Sequence, residues 1–174
     1  MNRAGHVPPY ELPVDKLVAQ CRFEAFVSSG PGGQKRNRTY AAVRITHLPT
    51  GISATATDSR SQRENRIHAI RALRCKLASE LRRDVAIDPL AYHPPAWFSQ
   101  YPKLHMSPTN PLYPAAIATV LDVLKATHWQ VPTAASLLEL SSSALILRDD
   151  SHLWAAVNHQ RTELGMPPLT ARDG

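Results

Sequence analysis

The sequence predicts an α+β fold. A short antiparallel sheet is packed by one long helix, and a proline-rich connector and a small all-α bundle follow. Three observations carry this. Ile52-Ser53-Ala54-Thr55-Ala56-Thr57 alternates between apolar and hydroxylated residues, the period of a half-buried strand. Ser61 precedes Glu64 by three residues and opens a run of apolar residues at helical spacing. Residues 85–112 hold six prolines, too dense for regular helix, and helical signals resume at Pro114. The boundaries predicted are 1–84, 85–112 and 113–174.

The elements follow in order. Met1 to Pro13 carries Pro8, Pro9 and Pro13 and one arginine, without the apolar run of a secretory signal or the pattern of a transit peptide. It is expected to be a frayed arm on a cytoplasmic protein. Cys21–Val27 reads as a first strand. Ser28-Ser29-Gly30-Pro31-Gly32-Gly33-Gln34 cannot be a helix or strand interior, because glycine loses the most backbone entropy and proline fixes φ. Gln34 is the one long polar side chain of that loop, and Lys35, Arg36 and Arg38 follow it. On the loop alone, a surface turn and a site for an RNA end with a reactive ester are both open. Ala41–Ile45 starts a second strand, and Pro49-Thr50-Gly51 turns the chain into the third. In the long helix, Ile67, Ile70, Leu73, Leu77 and Leu81 form the expected buried stripe. Arg71, Arg74 and Arg82 share a sector of roughly 80° beside it, at about 100° per residue.

Tyr92, Trp97, Phe98 and Tyr101 stand among the connector prolines, which makes it an ordered connector rather than a free linker. Beyond it, Ile117, Val120, Leu121 and Leu124 give the next helix one apolar face. Thr133, Ser141 and Ser151 are candidate caps for three more, and Gly165 with Pro167 closes the last. The middle pair resembles a helix-turn-helix, but Glu139 occupies the turn position usually held by glycine, and Asp149 and Asp150 follow. A structural or protein-docking bundle is therefore preferred to a nucleic-acid reader.

Charge separates the halves. Residues 1–84 hold fifteen Lys/Arg against seven Asp/Glu, a balance of +8, and residues 85–174 hold five against seven, a balance of −2. The first half suits a polyanion. Cys21 and Cys75 form no paired motif and read as small buried hydrophobes. The eight histidines lack metal-ligand spacing, so no metal and no cofactor are expected, and His47 is read as a surface or RNA-facing residue. No apolar stretch of about 18 residues is present, so no membrane span is expected. No Ser/His/Asp set or carboxylate pair stands near the loop, and Glu24 and Asp58 read as sheet-edge charges.

Ser28-Ser29-Gly30-Pro31-Gly32-Gly33-Gln34, with Asn37 three further on, resembles the signature of the peptidyl-tRNA hydrolysing domain of class I peptide chain release factors. Ala42–Ile52 and Arg60-Ser61-Gln62-Arg63-Glu64-Asn65 are similar to the same family, so the resemblance covers about residues 21–82. It implies a peptidyl-tRNA hydrolase acting on the ribosome. Gly32, Gly33 and Gln34 would be catalytic, with the Gln34 backbone N–H stabilising the leaving ribose oxygen in the peptidyl-transferase centre. Ser28, Ser29, Gly30, Lys35, Arg36, Asn37, Arg38, Arg71 and Arg74 would contact RNA. Gln34 would be a candidate for N-methylation by a glutamine methyltransferase. The implied partners are ribosomal RNA and peptidyl-tRNA, without a membrane.

Codon-reading factors carry large domains before the glycine loop, and here 27 residues precede Ser28. The expectation is a stand-alone, codon-independent ribosome-rescue enzyme, although the basic tail common in such enzymes is missing. The alternatives are a catalytically idle ribosome- or tRNA-binding module and a regulator that uses the helical bundle on nucleic acid.

Overall fold

The structure, a computed structural model, describes residues 7–27, 41–83, 88, 91–101, 104, 106–145 and 151–170. The chain forms two compact units, one within residues 3–80 and one within residues 81–174 together with residues 1 and 2.

In the first unit a 3-10 turn, Pro9–Glu11, leads into α1 (Val14–Val18), β1 (Cys21–Phe26), β2 (Ala42–His47), β3 (Ser53–Ala56) and α2 (Gln62–Glu80). Among the described residues the strands make one antiparallel sheet in the order β1-β2-β3. The register pairs Phe23 with Ile45 and Ile45 with Ala54. By strand alternation, Phe23, Val43, Ile45, His47, Ala54 and Ala56 share one face, and Arg22, Glu24, Arg44, Thr46, Ser53 and Thr55 share the other. Val43, Ile45, Ala56, Leu17, Ala69, Leu73 and Leu77 are buried together with Tyr10. The β2–β3 turn is as expected. Gly51 takes φ +73, and its N–H donates to His47 O at 2.8 Å.

Four expectations are corrected in this unit. The arm is not frayed over its described part: Tyr10 is buried, and Arg74 Nη2 donates to Leu12 O, which ties the segment to α2. Leu73 and Leu77 of the expected stripe of α2 are buried, but the buried line continues through Asn65 and Ala69 instead of Ile67, which is 44% exposed. Satisfying Asn65 in the core turns the helix that way. His47 is buried, because its ring nitrogens meet Thr50 Oγ1 at 2.8 Å and Gln20 Oε1 at 3.0 Å. Cys21 and Cys75 are only half-buried and are not joined in a disulfide.

The helix begins as the Ser61–Glu64 pair requires. Glu64 N–H donates to Ser61 Oγ at 3.3 Å. The return arm is relayed: Ser61 N–H donates to Ser59 Oγ, whose hydroxyl donates to Glu64 Oε2.

The second unit holds a 3-10 turn, Phe98–Gln100, then α3 (Tyr113–Ala126), α4 (Val131–Leu137), α5 (Ser142–Leu145) and α6 (Ser151–Glu163). Phe98 and Leu104 of the proline-rich segment are buried, and Asn110 Nδ2 donates to Tyr101 Oη at 3.0 Å, so its described part is ordered. Helix α3 is buried all round rather than on one face, from Ala116 to Leu124. Its Asp122 accepts from Arg82 Nη1 at 3.2 Å, and from the Arg83 backbone N–H and Nε at 3.1 and 2.8 Å. Arg82 therefore lies beyond the end of α2 and belongs to an ion pair of this unit. Thr133 does not cap α4. That helix starts at Val131 with Pro132 in its first turn. Ser141 does cap α5, accepting from Ala144 N–H at 3.1 Å.

Three helices end in Schellman motifs. Met166 N–H reaches Arg161 O after α6, with Gly165 at φ +69. Trp129 N–H reaches Leu124 O after α3, and Leu140 N–H reaches Ala135 O after α4. In those two, His128 (φ +51) and Glu139 (φ +56) take the conformation that glycine normally supplies.

Candidate functional site

The expected loop residues Ser28, Ser29, Gly30, Gly32, Gly33, Gln34, Lys35, Arg36, Asn37 and Arg38 all lie outside the described residues. What the structure describes is the base from which that loop departs. Phe26 and Ala42 are the last register pair of β1 and β2, so both ends of the loop leave from one hairpin end.

Asn65 clamps that base. Its Nδ2 donates to Ala41 O at 2.7 Å and to Ser59 O at 2.8 Å, and its Oδ1 accepts from Ser59 N–H at 2.9 Å. The side chain is 0% exposed. A buried amide is costly unless its groups are paired, and here both donors and the acceptor have partners. The Arg60–Asn65 segment thus starts the helix through Ser61 and Glu64 and holds the loop base through Asn65. Asn65 carries no functional expectation from the sequence alone. The available signal was its place at four-residue spacing before Ala69, Leu73 and Leu77.

The two helix arginines called as RNA contacts are placed differently from each other. Arg71 is exposed on α2. Arg74 is half-buried against Leu12 O, and burial lowers its pKa from the usual arginine value. Sequence reading passed over Arg66, whose guanidinium carbon lies 3.5 Å above the centre of the Phe23 ring, a cation–π contact at the outer edge of the sheet.

The far end of the same hairpin is held by His47. Burial lowers its pKa, which keeps the ring neutral, and Gln20 O accepts from Leu48 N–H at 3.0 Å. Burial raises the thiol pKa of Cys21, whose Sγ donates to Leu17 O at 3.1 Å, so it is a poor nucleophile there. Among the described residues no three His, Cys, Asp or Glu side chains converge as a metal site. Chemically, the described part is a scaffold that presents a loop.

Comparison with known proteins matches residues 14–88 to the RF-1 domain, the stretch from α1 through α2. Over that stretch the chain is similar to class I peptide chain release factors. Peptide chain release factor 2 of Kineococcus radiotolerans is 46% identical over 71 residues, 41% of this chain and 19% of the relative. Peptide chain release factor 1 of Bifidobacterium longum is 54% identical over 56 residues, 32% of this chain and 16% of the relative. The factor 1 of Bacillus cytotoxicus is 40% identical over 74 residues, 42% of this chain and 21% of the relative.

The chain therefore spans about a fifth of the length of the release factors it matches. Within the family match lie the whole sheet, the Asn65 clamp and the glycine-rich loop. Helices α3–α6 lie outside it.

Proposed function

We propose that this protein hydrolyses the ester of peptidyl-tRNA on ribosomes without reading a codon, a ribosome-rescue activity in the cytoplasm. The observation that carries the reading is the match of residues 14–88 to the RF-1 domain, with the glycine-rich loop between the paired ends Phe26 and Ala42. In this reading Gly32 and Gly33 give the backbone the conformation and clearance to enter the peptidyl-transferase centre. The backbone N–H of Gln34 donates to the ribose oxygen as it leaves, and the Gln34 side chain shapes the water site. Loss of one such placed donor costs about 10²–10³ in rate. Ser28, Ser29, Gly30, Lys35, Arg36, Asn37, Arg38 and Arg71 would face RNA, and a glutamine methyltransferase acting on Gln34 would be a further partner. The helical unit would serve as an anchoring module for a ribosomal or nascent-chain component.

The test is release of labelled peptide from ribosomal complexes bearing a stop codon, a sense codon or a truncated message. Equal release from all three, abolished by Gly33→Ala with ribosome binding retained, supports the proposal. Release confined to the stop codon overturns codon independence, and wild-type release by Gly33→Ala overturns the role of the loop.

The turn between α4 and α5 favours a second reading, a nucleic-acid regulator. Glu139 adopts the glycine-like φ of +56 that a helix-turn-helix requires there. Duplex-DNA affinity of the full chain tests it, and the negative charge balance of residues 85–174 weighs against it.

A further inference from the structure

We propose that the sheet face turned away from α2 is a binding site for RNA sugar-phosphate backbone, separate from the glycine-rich loop. The inference rests on the RNA-facing reading of this domain, but its residues are all described and none belongs to that loop.

The face is a shallow, open and mainly polar cleft of about 570 Å³. Arg22 of β1, Arg44 of β2 and Lys76 of α2 line it, with the hydroxyls of Thr46 and Ser53 between them. Register explains the grouping: Arg22 pairs with Thr46, Thr46 with Ser53, and Glu24 with Arg44, so these side chains project from one side of three adjacent strands. The guanidinium carbon of Arg44 lies 5.4 Å from the centre of the Phe26 ring, which sets its direction while leaving its N–H edges for another acceptor. Lys76 Nζ donates to Ser53 O at 3.0 Å and stands 3.7 Å from Glu80, fixing a third cation at the rim.

Among the described residues one carboxylate lines the cleft. Glu24 Oε1 meets Arg22 Nη2 at 3.4 Å, an exposed pair that water and salt screen. Three cations against Glu24 in the cleft and Glu80 at its rim leave a net positive charge, and with neutral hydroxyl donors between them they suit spaced phosphates. They do not suit an apolar protein surface, since the cleft offers no apolar pocket for an anchoring side chain. Backbone rather than base recognition follows from the same composition, because no aromatic ring lines the cleft among the described residues.

The experiment measures binding of the full chain to single-stranded oligouridylate, and to purified large ribosomal subunits, across a salt series. Arg22→Gln/Arg44→Gln should weaken both by roughly tenfold at low salt and reduce the salt slope by about one to two. Arg22→Lys/Arg44→Lys keeps the charge and should retain the slope, which separates charge loss from misfolding. Glu24→Gln should tighten binding. Lys35→Gln/Arg36→Gln/Arg38→Gln should lower the slope independently, and the two losses should add.

Unchanged affinity and slope in the sheet variant overturn the site. So does weakened ribosome binding with unchanged oligouridylate binding, which would make the partner a protein. Failure of the release reading shows differently, as absent peptide release by the wild type with this binding intact.

Discussion

Replacing Asn65 by Asp changes one atom of the buried side chain and reverses two of its three hydrogen bonds. Oδ1 can still accept from Ser59 N–H, but the former Nδ2 position then presents an oxygen to Ala41 O and Ser59 O, now 2.7 and 2.8 Å away. Each buried polar group left without a partner costs about 1–3 kcal/mol, so the pair of carbonyls implies about 2–6 kcal/mol. That is a large part of the roughly 5–15 kcal/mol by which a domain is stable.

The penalty depends on pH. Full burial beside two carbonyl oxygens disfavours the charged carboxylate, so the folded pKa of Asp in Asn65→Asp is raised above its unfolded value of about 3.9. Below that unfolded value both states are protonated and the carboxyl can donate to one carbonyl, which relieves the cost. As pH rises through the folded pKa the native state must give up its proton, and the full penalty appears. Asn65→Leu loses all three bonds and should be destabilised by at least about 3 kcal/mol at every pH.

Urea midpoints at pH 7 and pH 4, with hydrogen exchange of the β2 amides to localise the effect, measure both. Because Asn65 holds Ala41 at the loop base, peptide release should fall further than global stability does. If Asn65→Asp shifts stability by less than about 0.5 kcal/mol and shows no pH dependence beyond the wild type, the clamp is wrong.

The remaining predictions are narrower. Burial lowers the pKa of His47, so its stabilising contribution is complete above its unfolded value of about 6.5 and is lost as pH falls from there through the folded pKa. Wild-type urea stability should therefore drop more between pH 7.5 and 5 than that of His47→Gln, by at most about 1.4 kcal/mol per pH unit, and parallel curves would contradict this. Asp122→Ala removes the carboxylate paired with Arg82 and Arg83 and should cost about 2–4 kcal/mol, read as faster amide exchange in α3, whereas an unchanged rate would show the pairs to be idle. Glu139→Gly removes a side chain from a left-handed position and should stabilise the second unit by about 0.5–1 kcal/mol in thermal unfolding, and a loss of that size would show that the glutamate makes a contact worth more than the strain.

Much of the first unit was legible because its signals are local. The alternation of Ser53–Ala56, the Pro49-Thr50-Gly51 turn and the Ser61 cap each depend on a few neighbouring residues, and all appear where expected. The three release-factor motifs were legible too, as residue types in an order.

Other features depend on distant partners, which no local pattern records. Apolar spacing pointed α2 toward Ile67, but the helix turns to bury Asn65, because an amide with three buried bonds outweighs a methylene surface that water tolerates. His47 is internal with its ring held between Thr50 and Gln20, the latter 27 residues away. Arg74 spans 62 residues to hold Leu12, and Asp122 reaches back 39 and 40 residues to Arg83 and Arg82. Glu139 enters the left-handed region because the closure of α4 by Leu140 and the packing of the bundle outweigh a local cost of about 1–2 kcal/mol. Periodicity and turn chemistry place the strands and helices, and the pairing of buried polar groups across the chain decides which way they face.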